Sequence, residues 1–212
     1  MKGLFITFEG PDGSGKTTQV NMLKDYLENK GFEVILTREP GGTELGEDIR
    51  KILLDLKHKD MDEKAEMLLY AAARAQHVSK LINPALIQGK IVLCDRFVDS
   101  SYAYQGYGRG LGISLVEQVN DIALSGTYPD LTIFLNLEPQ TGLIRSASSK
   151  GHHDRLESEN IQFHMQVREG FLRVRDKNQK RFKEIDARDS VEQIFKAVAA
   201  HVNCLIAQKN SI

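Results

Sequence analysis

The sequence lacks the features of a membrane-bound, secreted or nucleic-acid-binding protein. Its 212 residues carry 28 Lys and Arg against 29 Asp and Glu, so it has no basic excess to attract nucleic acid or anionic lipid. No stretch approaches the ~20 apolar residues of a membrane-spanning helix. The apolar run at residues 1–8 is too short for a signal peptide. We therefore expect a cytoplasmic location, with no nucleic-acid and no membrane partner.

Cysteine is scarce and linkers are absent. Cys94 and Cys204 lie far apart in apolar segments, which predicts two reduced structural thiols rather than a disulfide. No internal repeat, low-complexity run or Pro/Ser-rich linker interrupts the chain, so residues 1–212 are predicted to form one domain. A domain of this length buries roughly 70% of its unfolded-state surface and needs no disulfide or metal to fold.

Five short apolar segments alternate with longer stretches of helical periodicity. The predicted strands are residues 4–8, 34–37, 91–94, 131–137 and 181–185. Strands joined through helices need crossover connections, which favours a parallel sheet covered on both faces. We predict an α/β fold with a five-stranded parallel sheet, in which ligands bind beyond the carboxyl ends of the strands. Ser114 with Glu117, and Ser190 with Gln193, have capping-box spacing and predict two helix N-termini.

A glycine-rich segment follows the first predicted strand. Gly10-Pro-Asp-Gly-Ser-Gly-Lys-Thr17 fits the P-loop pattern G-x-x-x-x-G-K-[ST]. Glycines let backbone N–H groups converge on phosphate oxygens, and the next helix offers its N-terminal donors to the same anion. Lys16 would contact the β- and γ-phosphates, and Thr17 would offer its hydroxyl to Mg²⁺. The ATP-binding residues predicted here are Gly10, Pro11, Asp12, Gly13, Ser14, Gly15, Lys16, Thr17 and Thr18.

Charged residues follow the second and third predicted strands. Asp95 is placed to hold Mg²⁺ through water, and Arg96 beside it can bind an anionic group with two hydrogen bonds. Arg38 ends the second strand and Arg50 lies on the next helical segment. Three guanidinium groups suit the phosphate of an acceptor nucleotide, which is largely dianionic near neutral pH and needs no general base. In the alternative interpretation, Asp95 and Arg96 pair with each other or cap a helix, and each arginine is a solvated surface residue.

Two residue pairs at i,i+4 spacing suggest a nucleobase site. Tyr70 and Arg74 share one face of a mostly apolar helix, where Tyr70 would stack on a base and Arg74 would donate to its carbonyl. Ser101 and Gln105 have the same spacing, and an amide suits a base edge with both a donor and an acceptor. The competing interpretation keeps Tyr70 in the core and pairs Arg74 with a carboxylate. It treats Ser101 and Gln105 as incidental polar residues at a helix N-terminus.

A polar segment at about residues 145–157 contains glycine and lies between two helical patterns. It is predicted to be a small lid that closes over the phosphates. A lid arginine that reaches the transferring group would act as an arginine finger supplied within the chain.

These segments together resemble the bacterial thymidylate kinase family. The resemblance rests on Phe8-Glu-Gly-Pro-Asp-Gly-Ser-Gly-Lys-Thr17, Thr37-Arg-Glu-Pro-Gly-Gly-Thr43, Tyr70-Ala-Ala-Ala-Arg74 and Cys94-Asp-Arg-Phe-Val-Asp-Ser-Ser-Tyr-Ala-Tyr-Gln-Gly106. It extends through nearly the whole chain, to residues 185–187. The Arg-Glu-Pro-Gly-Gly and Asp-Arg-Phe segments are far more specific than the P-loop alone.

The resemblance implies a P-loop NTPase-type fold that transfers the γ-phosphoryl group of MgATP to dTMP for dTTP synthesis. It implies the dTMP-binding residues Asp12, Arg38, Glu39, Pro40, Arg50, Tyr70, Arg74, Arg96, Ser101, Tyr104 and Gln105. Tyr104 would crowd the 2′ position of the deoxyribose, and Ala187 and Arg188 would pack on adenine. Lys16, Asp95 and Arg96 would be catalytic, and Thr17 and Asp95 would hold Mg²⁺. The family is homodimeric with a helical interface.

One feature departs from part of the family. Some members carry a catalytic arginine inside the P-loop, whereas residues 12–14 here are Asp-Gly-Ser. A lid arginine would then compensate, with Arg155 as the first candidate and Arg145 as the second.

Two other classes of function remain open on the sequence. A deoxynucleoside kinase would use Glu39 as the general base for a 5′-hydroxyl, although a neutral nucleoside would leave the arginines without a partner. A GTPase-like switch would read guanine with an Asn-Lys-x-Asp loop, and the sequence contains no such loop.

Overall fold

The computed structural model describes residues 3–150 and 154–210. Its sheet contains five strands: β1 (Leu4–Glu9), β2 (Val34–Arg38), β3 (Ile91–Asp95), β4 (Leu131–Asn136) and β5 (Phe182–Asp186). Their spatial order is β2-β3-β1-β4-β5, and every neighbouring pair is parallel. The predicted strands and the parallel α/β sheet are confirmed, with boundaries shifted by about one residue.

Helices connect the strands. They are α1 (Lys16–Glu28), α2 (Glu44–Leu54), α3 (Glu63–His77), α4 (Asn83–Ile87), α5 (Val98–Ser101), α6 (Ile113–Leu124), α7 (Pro139–Lys150), α8 (Ile161–Lys177) and α9 (Val191–Asn210). A 3₁₀ turn covers Leu56–His58, and π-helical segments cover Val78–Ile82 and Tyr102–Gly108. The second π-helical segment continues directly from α5, so the helical winding changes at Tyr102.

Helices cover both faces of the sheet. On one face, α1 and α9 pack on a cluster that includes Ile6, Leu93 and Ile133. On the other face, α3, α6 and α8 pack on a second cluster that includes Phe5 and Phe134. Alternate residues of each strand therefore face opposite layers, and both layers exclude water, as expected for a parallel sheet.

The strand register places three chain segments side by side at the carboxyl edge of the sheet. Asp95 at the end of β3 lies opposite Phe8 of β1 and Arg38 of β2. The Arg96 N–H then donates to the Phe8 carbonyl (2.9 Å), and the Glu39 N–H donates to the Asp95 carbonyl (3.0 Å). The P-loop and the two charged segments that follow β2 and β3 therefore open at one place.

The two predicted capping boxes have different outcomes. At Ser190 the box forms, because the Ser190 N–H donates to Gln193 Oε1 (3.0 Å) and the Gln193 N–H donates to Ser190 Oγ (3.3 Å). The prediction for Ser114 is wrong. Gly112 occupies the cap position of α6 at φ 82°, and Ser114 lies inside the first turn.

The cysteine prediction is confirmed in part. Both cysteines are free thiols, and Cys94 is buried in β3, but Cys204 is exposed on α9 and is not a core residue. Within the described ranges, no helix is long and apolar enough to cross a membrane. The predicted lid corresponds to the end of α7 and a turn near residue 155, and its residues 151–153 lie outside the described part.

Candidate active site

A cavity of about 850 Å³ opens at the carboxyl edge of the sheet. It is lined by all predicted dTMP-binding residues: Asp12, Arg38, Glu39, Pro40, Arg50, Tyr70, Arg74, Arg96, Ser101, Tyr104 and Gln105. It is also lined by Gly13, Gly15, Lys16, Thr17, Thr18, Asp95 and Arg145. Six predicted residues, all in the described part of the chain, lie off this lining: Gly10, Pro11, Ser14, Arg155, Ala187 and Arg188. The structure thus brings residues from five separate chain segments to one cavity.

The P-loop wraps around the Lys16 ammonium group. Lys16 Nζ donates to the carbonyls of Gly10 (3.1 Å) and Pro11 (2.9 Å), which ties the first residue of α1 back across the loop. Burial, with a smaller effect of Arg96, lowers the pKa of Lys16 to about 8. An ammonium group that has lost its water in this way gains a partner when a phosphate enters the loop.

Close packing holds the P-loop against α7. Gly13 has φ 72°, and a Cβ there would lie 2.1 Å from the Gly142 carbonyl oxygen. A Cβ on Gly142 would lie 2.4 Å from the Asp12 carbonyl oxygen. Two backbones approach here more closely than any side chain allows, so both glycines are sterically required.

Thr17 and Asp95 form an oxygen pair suited to a hard cation. Thr17 Oγ1 donates to Asp95 Oδ2 (2.8 Å), which joins the start of α1 to the end of β3. In residues 3–150 and 154–210, no cluster of three or more His, Cys, Asp or Glu side chains could hold a metal. Mg²⁺ usually keeps several waters and takes one or two protein oxygens plus substrate phosphates, so this donor set fits Mg²⁺ bound together with a nucleotide.

Arg96 has an unusual backbone held by a buried acid. Its φ is 67°, a left-handed conformation that costs roughly 1–3 kcal/mol in a non-glycine residue and often marks functional sites. The buried Glu9 accepts from the Phe97 N–H (2.8 Å) and from Ser100 Oγ (2.6 Å), which fixes the turn after β3. Burial, and then the charge of Asp99, raise the pKa of Glu9 to about 8. The Arg96 guanidinium is thereby aimed at Asp12, 2.9 Å away.

Arg38 and Arg50 are held at the mouth of the same cavity. Arg38 Nη2 lies 2.8 Å from Glu47 Oε2, and Glu47 Oε1 accepts from the Gly42 N–H (3.0 Å). Arg50 Nη1 donates to the Pro40 carbonyl (2.9 Å). Glu47 therefore organises both the turn after β2 and an arginine beside it.

Arg74 is 1% exposed and makes contacts with three other segments. Its Nε and Nη2 atoms each lie 2.8 Å from Glu39 Oε2, and Nη1 donates to Ser101 Oγ (2.9 Å) and to Asn120 Oδ1. Arg74 thus pairs with a carboxylate, as the competing interpretation predicted, and also lines the cavity. Both carboxylate oxygens of Glu39 are engaged, because Oε1 contacts His77 Nδ1 at 3.0 Å.

The second π-helical segment carries the aromatic wall and the amide of the cavity. Tyr104 is buried, with the Arg96 guanidinium 5.3 Å from its ring centroid. Gln105 Nε2 donates to Glu66 Oε1 (2.9 Å), and Tyr70 on α3 is half-buried at the same cavity. π-Helical turns are uncommon and concentrate at functional sites, because the wider winding redirects side chains.

The two lid arginines differ in position. Arg155 is 4% exposed, with Nη2 2.7 Å from Glu66 Oε2 and Nε donating to the Leu53 carbonyl (2.7 Å). These contacts hold it away from the cavity lining. Arg145 lines the cavity, and its Nη1 donates to the Ala187 carbonyl (3.0 Å). Arg145 therefore lies at the cavity, whereas Arg155, the first candidate from the sequence, lies off its lining and pairs with Glu66.

The predicted adenine loop follows β5. Ala187 is buried, and its N–H donates to the Asn136 carbonyl (2.9 Å). Arg188 is exposed and donates to Asp186, with Nε 2.9 Å from Oδ1. Arg145 connects this loop to the P-loop, since a Cβ on Gly13 would lie 3.1 Å from Arg145 Cβ.

Comparison with known proteins shows which family this chain belongs to. The sequence profile described as thymidylate kinase matches residues 8–198. The chain is 50% identical over 203 residues to thymidylate kinase of Geobacillus sp. (strain WCH70), covering 95% of this chain and 97% of that protein. This chain belongs to the thymidylate kinase family. It is also 52% identical over 209 residues to thymidylate kinase of Halothermothrix orenii, covering 97% of this chain and all (100%) of that protein.

A solved structure of the thymidylate kinase family agrees with the fold. The crystal structure of thymidylate kinase from Ehrlichia chaffeensis matches this chain with a TM-score of 0.78 at 37% identity, covering 96% of this chain and 99% of that one. The family resemblance inferred from the four sequence segments is confirmed, and so is the P-loop NTPase-type sheet.

Several residues that shape this thymidylate kinase family site were not singled out from the sequence for a role in it. They are Glu9, Glu47, Glu66, Asn120 and Gly142. Glu9 and Glu66 do carry a sequence signal, because each is an acid in an otherwise apolar run, and buried acids need partners. Asn120 and Gly142 carry none, since their importance depends on which distant segment packs against them.

Proposed function

We propose that this protein transfers the γ-phosphoryl group of MgATP to dTMP, giving ADP and dTDP. The observation that carries the proposal is that cationic side chains from two parts of the fold line the same cavity. Lys16 comes from the P-loop, whereas Arg38 ends β2, Arg50 lies on α2 and Arg96 follows β3. Membership of the thymidylate kinase family supports the same activity.

In this proposal, catalysis rests on positioning and charge neutralisation. The phosphate of dTMP is largely dianionic near pH 7 and attacks without a general base. Lys16 would neutralise the donor phosphates, and Arg96, fixed by Glu9 and Asp12, would hold the acceptor phosphate in line with them. Thr17 and Asp95 would hold Mg²⁺, which when bound neutralises charge on the β- and γ-phosphates.

The geometry disfavours a deoxynucleoside kinase. That activity needs a general base for a 5′-hydroxyl, and Glu39 was the candidate. Glu39 is 4% exposed, with one carboxylate oxygen on Arg74 and the other on His77. A carboxylate engaged on both oxygens by buried partners is poorly placed to accept a further proton.

A coupled ADP-release assay tests the proposal directly. dTMP, dUMP, dCMP, dGMP and thymidine are each supplied with MgATP. We expect turnover with dTMP to exceed turnover with every other acceptor, and thymidine to be inert. Activity with thymidine alone would replace the proposal with a nucleoside kinase. ATP hydrolysis that no acceptor stimulates would replace it with a switch-like ATPase.

We further propose that Arg145, rather than Arg155, supports the donor phosphates from the lid. Arg145 lies between the P-loop and the loop after β5, at the cavity, whereas Arg155 is engaged by Glu66. Arg145→Ala should lower kcat, while Arg155→Ala should mainly lower thermal stability. A larger kcat loss in the Arg155 variant would restore the original order.

A cytoplasmic homodimer completes the proposal. Helices α3 and α6 pack on each other and expose apolar side chains, including Leu68 (55% exposed) and Ile122 (81% exposed). Exposed apolar residues on neighbouring helices suit an interface with a second copy, in line with the helical dimer implied by the family resemblance. Light scattering should give twice the chain mass, and Ile122→Asp should shift the protein toward monomer.

A further inference from the structure

The part of the cavity lined by Tyr70, Arg74, Ser101 and Gln105 is called the base end here. Glu66 contacts Gln105 from behind this lining and is not itself part of it. It is 0% exposed on α3, and its three partners, Gln105, Arg109 and Arg155, come from two other segments of the chain. Its carboxylate accepts hydrogen bonds from Gln105 Nε2 (2.9 Å) and from Arg109 Nη2 (3.0 Å). It also forms an ion pair with Arg155, whose Nη2 lies 2.7 Å from Glu66 Oε2. Two arginines against one carboxylate leave it charged. Although burial alone would raise the pKa of Glu66, its contacts, those with Arg109 first, lower it overall.

The charged state of Glu66 determines which end of the Gln105 amide faces it. A carboxylate accepts hydrogen bonds and donates none, so only the NH₂ group of Gln105 can point at Glu66. The carbonyl oxygen Oε1 must therefore point the other way. Gln105 lines the cavity, and in the described residues no protein donor contacts its Oε1. Gln105 Oε1 is therefore available as a hydrogen-bond acceptor at the cavity wall.

Arg74 leaves the Ser101 hydroxyl as a hydrogen-bond donor, the opposite of the acceptor that Gln105 presents. Arg74 donates to Ser101 Oγ (2.9 Å), so the Ser101 proton is left to donate elsewhere. Ser101 lies one helical turn before Gln105 and lines the same cavity. The buried Arg74–Glu39 pair and the partly buried Arg109–Glu66 pair therefore set one donor and one acceptor side by side at the base end.

We propose that Glu66 is a positioning residue that sets thymine-over-cytosine discrimination by locking the Gln105 carbonyl toward the base. This inference rests on the proposed function. Thymine presents an N3–H donor beside the O4 acceptor, which complements the Gln105 acceptor and the Ser101 donor. Cytosine presents the reverse, an N3 acceptor beside an N4 amino donor. The Gln105 amide cannot turn over, because its NH₂ group must face the Glu66 carboxylate. The N3 acceptor of cytosine would therefore face the Gln105 carbonyl oxygen, which is also an acceptor. Such mismatches between buried polar groups are strongly disfavoured.

The experiment compares Glu66→Gln with Glu159→Gln. An amide at position 66 can accept or donate, which frees Gln105 to turn over. Glu159 provides a matched control, because it also pairs with Arg109 (2.6 Å) but, in the described part of the chain, forms no hydrogen bond with Gln105. Titration calorimetry measures the Kd of dTMP and of 5-methyl-dCMP, which retains the methyl group and the sugar phosphate of dTMP.

We expect the ratio of the two dissociation constants to fall at least tenfold in Glu66→Gln and to change less than twofold in Glu159→Gln. An unchanged ratio in a folded Glu66→Gln variant would overturn the inference. The proposed function fails separately, if the unaltered protein binds neither nucleotide or binds both equally.

A second variant covers the case in which Glu66→Gln does not fold. Gln105→Leu removes the acceptor and leaves Glu66 paired with Arg109 and Arg155. Its ratio of dissociation constants should also fall at least tenfold, chiefly through weaker dTMP binding. A Gln105→Leu protein that keeps the original preference would overturn the inference, since the Gln105 carbonyl would then play no part in reading the base.

Discussion

The two halves of the cavity are built in different ways. In the proposed function, the donor half is a continuous segment, residues 10–18, whose backbone groups and one lysine would surround the donor phosphates. In the acceptor half, Arg74 alone contacts Glu39, Ser101 and Asn120, which lie 35, 27 and 46 residues away. A contiguous site depends on local conformation, whereas a dispersed one depends on the packing of the whole domain. Substitutions in the two halves should therefore fail in different ways.

The largest expected effect is a loss of chemistry without loss of fold. In Lys16→Ala, kcat should fall about 1000-fold, because one charge aimed at the transition state is removed. The melting temperature should change little, since the hydrogen bonds of Lys16 in the described residues go to carbonyls of its own loop.

Lys24→Ala is the matched control, because Lys24 lies on the same helix but pairs at the surface with Glu28. Its kcat, measured by steady-state kinetics, and its melting temperature should both stay near the wild-type values. Near-normal turnover in Lys16→Ala would remove Lys16 from the mechanism.

The acceptor half should show a loss of binding coupled to a loss of stability. Arg74→Lys keeps the charge beside Glu39 but loses the fork that reaches Ser101 and Asn120. We expect the dTMP KM to rise roughly 10- to 100-fold and the free energy of unfolding to fall by about 1–3 kcal/mol, since buried acceptors lose their donor. The ATP KM should change less than threefold. Equal changes in both KM values would make Arg74 a purely structural residue.

The donor half should also carry its own pH dependence. The pKa of Lys16 is lowered to about 8, so its ammonium form is lost as the pH rises through that value. kcat/KM for ATP, which reports groups of the free protein, should fall about tenfold between pH 7 and pH 9. The sign for stability is opposite. Between about 8 and the unfolded value of 10.5, the unfolded chain binds more protons at this lysine, so its contribution to stability rises with pH.

Glu9 also has a pKa of about 8 and is the group to exclude as the cause. The fall in kcat/KM for ATP should persist in Glu9→Gln. If it disappears there, the pH dependence belongs to the turn after β3 rather than to Lys16.

The smallest expected effect tests whether the donor half is as local as its sequence suggests. Gly142→Ala would place a Cβ 2.4 Å from the Asp12 carbonyl oxygen, so α7 or the P-loop must shift. We expect a severalfold higher ATP KM, an unchanged dTMP KM and a stability loss of about 1–3 kcal/mol. Thr141→Ala on the same helix is the control, because it adds no atom. A fully wild-type Gly142→Ala protein would show that the P-loop tolerates displacement by α7.

The sequence predicted much of the fold, and the predicted dTMP-binding residues all line one cavity, for physical reasons. Short apolar runs separated by amphipathic stretches fold as a parallel sheet. In its register, Asp95 lies opposite both Phe8 and Arg38, so the three strands end at the same edge. The capping box at Ser190 is local and was correct, whereas the one at Ser114 failed because the glycine before α6 took the cap position. Local signals succeed where no other residue competes for the same role.

What the chain determined by itself was the phosphate loop, the sheet and the residue types gathered at its edge, because these follow from short-range spacing and periodicity. Only the tertiary structure decided what those side chains do. It placed Arg155 on Glu66 instead of at the cavity, engaged both oxygens of Glu39, and turned the Gln105 amide toward a buried carboxylate. The direction of a hydrogen bond depends on the partner opposite it. That partner lies tens of residues away in the sequence, so only the folded chain brings the two together.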